Sequence, residues 1–302
     1  MFKKARVIFI YTDSSLHCGS GTSLGVVDLP IQREKYTDYP VCQASGIKGA
    51  VREWFEVNKI GPSDREKIKY TFGPDFSRGE SDAHAGAATF TDGRLLLFPV
   101  RSLNGVFAYT TSRFALSRLK RDLQMAGFKS EWTIPIDQGD RVTGISDSTL
   151  KDSNNKVVLE EYTFEFQPDD NVKAIAEWIA DNAIPKDAEY NFWRDKVKKD
   201  LLILPENAFR DFVKFSTEVQ ARIRIKNETK TVDKGALFYE EALPCDSLLY
   251  SIVMAYDAAN GTFRADEIMN FLSAINGNRL QFGGDATIGK GIVNINFLKG
   301  GA

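Results

Sequence analysis

An apolar run, ARVIFIY (Ala5 to Tyr11), breaks into a Gly-rich acidic loop, HCGSGTSLGVVDLPIQRE (His17 to Glu34), and the loop runs into YPVCQASGIKGAVREWFE (Tyr39 to Glu56). No other feature limits the fold as strongly. The first segment reads as a buried strand. In the last, Ile47, Ala50, Val51, Trp54 and Phe55 recur at i, i+3, i+4 and i+7, which dictates an amphipathic helix. The chain therefore opens with a β-loop-α unit. Ser45 is placed to cap the helix, and Gly46 and Gly49 keep its start bare. Lys48 and Arg52 lie one turn apart, where like charges repel by a few tenths of a kcal/mol unless an anion sits between them. A helix N-terminus draws anions, so a phosphate is the natural guest. The same pair also reads as an ordinary solvated face, with Arg52 relieved by Glu56.

Further along, RLLLFPV (Arg94 to Val100) reads as a buried strand, and TTSRFALSRLKRDLQMAG as a helix capped by Thr or Ser and ended by Gly127. From Thr133 to Lys156 the composition shifts to Gly, Ser, Asp and Asn, so an inserted or mobile loop is expected. Helical spacing returns at Val172, Ile175, Ala176 and Ile179, and at Phe209, Phe212 and Val213 beyond Pro205. VQARIRI (Val219 to Ile225) alternates as a half-buried strand does, and KNETKTVDKG then turns the chain back into ALFYEE. A last helix, DEIMNFLSAIN, precedes LQFGGDATIGKGIVNINFL, a Gly-rich loop between short strands. Two β-loop-α units with insertions predict an α+β, ferredoxin-like or RNA-recognition-like sheet carrying short helices on one face. We expect one domain over residues 1–302, with residues 133–215 as an insertion or mobile region.

Composition narrows the function. With 43% hydrophobic and 12% aromatic residues the chain can bury a full core. No run approaches the length of a membrane span and the start lacks a cleavable leader pattern, so a cytoplasmic protein without membrane contact is expected. Cys18, Cys42 and Cys245 are odd in number and form no CxxC pair; reduced thiols are the default and a zinc knuckle is excluded. His17 and His84 are too few for a histidine-based zinc centre. A net charge of −2 argues against a freestanding nucleic-acid binder, so any nucleic-acid contact has to be local. Basic residues cluster at Arg113–Arg121, Arg194–Lys199 and Arg222–Lys230. GDATIGKG (Gly284 to Gly291) resembles a phosphate loop, but Gly291 replaces the magnesium-binding hydroxyl and a strand, not a helix, follows. Nucleotide hydrolysis is therefore not expected.

Together, PVCQASGIKGAVR and FGGDATIGKG resemble the motifs of the RAMP superfamily of CRISPR proteins. Within it, HCGSGTSLGVVDLPIQRE, TFTDGRLLLFPVRSLNGVFAYTTS and ETKTVDKGALFYEE are similar to the backbone subunits of type III-B (Cmr) effector complexes. The resemblance implies a ferredoxin-like palm and several copies stacked along a guide RNA (crRNA) beside other Cmr subunits. It also implies cleavage of the paired target RNA once per copy. The cleavage residue of that family is an aspartate in the loop after the first strand, and the matching position is Asp28. Expected RNA contacts are His17, Ser45, Lys48, Gly49, Arg52, Gly283, Gly284 and Lys290.

RNA transesterification needs the 2′-hydroxyl deprotonated and the developing charge neutralised. A carboxylate can act as the base, or it can hold a divalent cation, magnesium or manganese, that lowers a hydroxyl's pKa. Asp28 suits either role. His17 is a lesser catalytic candidate as a proton carrier. Glu240 and Glu241 are others, and as strand neighbours they point to opposite faces, so at most one accompanies Asp28. Two alternatives stay open: a backbone subunit that grips RNA without cutting, and a freestanding guide-processing nuclease using His17.

Overall fold

The computed structural model describes residues 2–59, 61–75, 83–226, 228–232, 237–259 and 261–300. In chain order the strands are β1 (Lys4–Thr12), β2 (Val41–Cys42), β3 (Ala88–Phe90), β4 (Gly93–Arg101), β5 (Phe107–Ser112), β6 (Val142–Gly144) and β7 (Lys156–Leu159). They continue with β8 (Tyr162–Pro168), β9 (Leu201–Leu204), β10 (Glu218–Arg222), β11 (Phe238–Ala242), β12 (Leu248–Ala255), β13 (Arg279–Gln281) and β14 (Ile292–Phe297). The helices are α1 (Ala44–Asn58), α2 (Pro62–Phe72), α3 (Arg113–Met125), α4 (Asp170–Asn182), α5 (Asn191–Asp200), α6 (Glu206–Phe215) and α7 (Ala265–Leu272).

One mixed sheet runs β13-β14-β1-β12-β4-β5-β9-β6-β8-β7, with β2 on β4 and β3 on β12. Its centre, β14-β1-β12-β4, is antiparallel, with α1 between β1 and β4 and α7 between β12 and β14. That is the ferredoxin-like order the two β-loop-α units predict. β1 explains the long apolar run: Ile8 and Ile10 enter one core with Ile47, Val51 and Phe55 of α1 and Ile268 and Leu272 of α7. Val7, Phe9 and Tyr11 enter a second core with Leu116 and Leu119 of α3 and Ile175 and Ile179 of α4. Both faces are covered, so every second residue has no reason to be polar. The helices do not share a single face: α1, α2, α6 and α7 pack into the first core, and the opposite face is roofed by α3 and α4.

The region expected as an inserted loop builds sheet instead. β6 is wholly buried, parallel to β8 and antiparallel to β9, and β9 is in turn parallel to β5. Three residues are too few to show a period, so the surrounding Gly, Ser and Asp hide them. α3 starts as expected, with Ser112 Oγ accepting the Ala115 N–H at 3.2 Å. β10 does not fulfil the half-buried pattern. It pairs only with β11, and Val219, Ile223 and Ile225 stay about half exposed because no second layer covers this two-stranded sheet. The turn residues Asn227 and Asp233 to Ala236 lie outside the described residues.

Candidate functional site

After β1 the chain folds back on itself and then onto β11. Leu16 bridges Leu243, Gly19 bridges Ile31, and Leu29 bridges Glu240. A turn closed by Ser23 N–H to Asp28 O at 2.8 Å pushes Leu24 and Val26 fully into solvent. Asp28 sits at its base, half-buried. Its Oδ2 accepts the Tyr239 N–H at 2.7 Å, while Leu29 N–H donates to Tyr239 O at 3.0 Å. Among the described residues no cation pairs with Asp28, and Oδ2 is the oxygen fixed by backbone.

Glu240 and Glu241 are buried and committed. Arg222 reaches across the hairpin and donates to Glu240 Oε2 from Nη2 at 2.7 Å and Nε at 3.0 Å, and Lys290 Nζ joins at 3.3 Å. Burial pushes the Glu240 carboxyl up, but hydrogen bonds from Asp285 and Arg222 and the Lys290 charge outweigh it and hold it at about 2. Asp285 moves the opposite way, raised by its hydrogen bond to Glu240 and by burial. Glu241 turns to the other side, as alternation requires. It accepts from Thr217 Oγ1 at 2.7 Å, from Ile31 N–H at 3.0 Å and from Arg33.

His17 is interior, only 9% exposed, with Nδ1 bonded to Glu241 O at 2.6 Å and Nε2 4.0 Å from Glu240. Gly284 N–H donates to His17 O at 2.9 Å, and a Cβ on Gly283, whose φ is +71°, would lie 2.2 Å from that oxygen. Gly283 and Gly284 thus let this loop close over His17, and Gly291 lets it pass Phe282 O, which a Cβ there would meet at 1.9 Å. Lys290 is 6% exposed, its ammonium turned inward. Of the RNA contacts expected here, the His17 ring and the Lys290 ammonium are turned into the protein, while Gly283 and Gly284 are exposed. Arg222 and Asp285 complete the cluster. Sequence alone shows them only as a member of a basic run and a phosphate-loop filler, because the partner of each lies far along the chain.

The α1 stripe is different. Ser45 is no cap: Gln43 holds that position, and the Ala44 N–H is taken by Asp92 Oδ1 at 2.8 Å from the turn before β4. Ser45 and Gly49 are exposed, and neither Gly46 nor Gly49 has an atom within 4 Å of where a Cβ would stand. Nothing inside the protein requires either glycine, although each costs a helix about 1 kcal/mol relative to alanine. Lys48 donates one hydrogen bond, to Ala88 O at 3.0 Å, leaving two protons free; burial and then Arg52 lower its pKa. Arg52 is occupied by Glu56 at 2.7 Å, Gly73 O at 3.2 Å and Asp75 at 3.9 Å, so it braces the segment after α2. Gln32 links stripe and loop, accepting the Gln43 N–H and donating to Gly19 O, both at 2.9 Å.

A profile of the RAMP superfamily matches residues 9–294, nearly the whole chain. The chain belongs to the RAMP superfamily. Among RAMP proteins, the CRISPR system Cmr endoribonuclease Cmr4 of Pyrococcus furiosus is 42% identical over 97% of this chain and 95% of its own length. The CMR subunit Cmr4 of Saccharolobus solfataricus is 28% identical over 96% and 95%. A crystal structure of oligomeric Cmr4 from Pyrococcus furiosus superimposes with a TM-score of 0.74 at 33% identity, covering 98% of each chain. A type III-B Cmr-beta structure in its apo state gives 0.75 at 26% identity, over 99% of this chain and 98% of the other. These place the chain in the Cmr4 family of RAMP proteins. Among the described residues no helix is long and apolar enough to cross a membrane.

Two members of the basic segments are structural. Arg118 is buried against Glu34 at 2.7 Å and Lys196 against Asp200 at 2.7 Å, so neither reaches solvent. Among the described residues no group of three His, Cys, Asp or Glu side chains gathers, and the carboxylates nearest Asp28 in the strand pairing are already neutralised.

Proposed function

We propose that this chain is the repeating, RNA-cutting backbone subunit of a type III-B effector complex. It grips the guide crRNA backbone through α1, packs with further copies of itself and other Cmr subunits, and cleaves paired target RNA with Asp28. One observation carries the cleavage assignment. Of the expected carboxylates, Asp28 alone is accessible and without a cation partner among the described residues, and it is held by the Tyr239 N–H. Its free oxygen takes the 2′-hydroxyl proton as the 2′-oxygen bonds to phosphorus. The phosphorus–O5′ bond breaks, leaving a 2′,3′-cyclic phosphate, and the 5′-oxygen is protonated by water. No step is routed through a divalent cation here; one held by Asp28 would take its remaining ligands from RNA phosphates and water. Cleavage unaffected by a chelator agrees with this; loss of cleavage on chelation, restored by magnesium or manganese, assigns Asp28 to metal holding instead.

The freestanding histidine route is disfavoured because the His17 ring is shut beneath Gly19 and Gly284. The presence of Asp28 supports cutting over a subunit that only grips RNA.

Two α1 substitutions test the grip. Lys48→Ala should reduce the salt dependence of guide binding by about 0.7 in log-log slope, one phosphate contact on a single strand. Gly49→Ala should raise stability by about 0.5–1 kcal/mol while weakening RNA binding, since the methyl has room in the protein but not against a ligand. Fluorescence titration at several salt concentrations and a thermal melt read both. Unchanged slope and affinity in both variants would remove α1 from the RNA path.

Assembly has its own test. RNAs of increasing length should load copies cooperatively and stepwise by native mass or sedimentation. One tight copy per RNA at every length would favour the freestanding nuclease.

A further inference from the structure

The Cys18 and Cys42 sulfurs lie 3.1 Å apart, Cys18 donating its S–H, and both side chains are buried. They are 24 residues apart in sequence, which is why no spacing motif announces them. A disulfide needs a separation of about 2.05 Å, so each sulfur would have to move by only roughly half an ångström. The backbone around them is already fixed. Gln32 N–H donates to Cys18 O at 2.7 Å, and Cys42 pairs with Gly93 in the β2–β4 ladder. Beside the sulfurs is an apolar cavity of about 10 Å³, bordered by Leu16, Ile31, Val41 and Leu249. It has room for a molecule near the size of water and none for a tripeptide thiol.

We propose that Cys18 and Cys42 are a peroxide-oxidised dithiol, closing a reversible disulfide that ties the root of the Asp28 loop to the start of α1. The step balances with a hydroperoxide as oxidant. One thiolate attacks the peroxide oxygen, the O–O bond breaks, and a sulfenic acid and hydroxide form. The second thiol sulfur then attacks the sulfenic sulfur, the S–S bond forms, and water leaves. In total two thiols and one hydrogen peroxide give one disulfide and two waters. The hydrogen bond from Cys18, with burial, raises the Cys42 thiol pKa, so oxidation is slow at neutral pH and faster in mild alkali. Because the sulfurs already touch, the bond locks the existing geometry; it acts as a staple on residues 18–42 and leaves Asp28 and Lys48 where they are.

The test uses the full chain with exposed Cys245 replaced by alanine, so that two thiols remain. After hydrogen peroxide, thiol titration in denaturant should find both lost, and the intact mass should fall by about 2 Da. Dithiothreitol should restore both, and the oxidised melting temperature should rise on the order of 5 °C. Adding Cys18→Ala or Cys42→Ala should abolish the mass loss and the melting shift, and RNA retention should be the same oxidised and reduced. Glutathione disulfide should oxidise the folded chain far more slowly than peroxide. The proposal is overturned if the thiols stay free, if the mass gains oxygen instead, or if covalent dimers form.

Discussion

Replacing Asp28 by asparagine should give complexes that assemble, hold guide and target RNA as well as before, and cut the target about 10²- to 10⁴-fold more slowly. Asparagine keeps an oxygen that can accept the Tyr239 N–H, so the loop keeps its anchor and only the proton acceptor is lost. Asp28→Ala loses both, and should cut no better while binding RNA nearly as well. The comparison separates chemistry from loop placement. Equal defects in cleavage with intact RNA binding point to the carboxylate itself. A defect in the alanine variant alone would mean that the residue only positions the loop.

The second large effect concerns stability. Glu240→Gln should destabilise the fold by about 3 kcal/mol at pH 7, because it leaves Arg222 and Lys290 facing a neutral amide in a buried cluster. The dependence on pH has a definite sign. The folded Glu240 carboxyl is held at about 2 against an ordinary 4.5, so its contribution is complete above roughly pH 5 and is lost as the pH falls from there toward 2. Urea unfolding of wild type and variant should therefore show a gap that is constant from pH 7 to 5 and narrows below it. A gap that does not change down to pH 3 would mean that shape and neutral hydrogen bonding, not charge, make the cluster matter.

Much of the fold is legible because apolar spacing survives tertiary packing. Ile47, Val51 and Phe55 announce α1, and Val172, Ile175, Ala176 and Ile179 announce α4; all are buried as their period requires. What escapes is pairing over distance. Lys196 and Arg118 look like solvated basic residues until Asp200 and Glu34 are found beside them. Lys290 looks like a phosphate ligand until Glu240, 50 residues away, turns it inward. β6 escapes because three residues carry no period, and Ser45 because Asp92 already holds the helix start. Within the site, Asp28 and Lys48 are only partly buried and the Gly-rich loop is largely exposed, while the His17 ring and the Lys290 ammonium are turned inward.

The most direct test assembles complexes from wild-type and Asp28→Asn chains mixed in known ratios and maps the ends of a matched target RNA. If each copy cuts with its own Asp28, the evenly spaced cuts should all persist and each should weaken in proportion to the wild-type fraction, falling to the slow residual rate with the variant alone. Evenly spaced cuts at wild-type strength in complexes built only from Asp28→Asn would contradict the account.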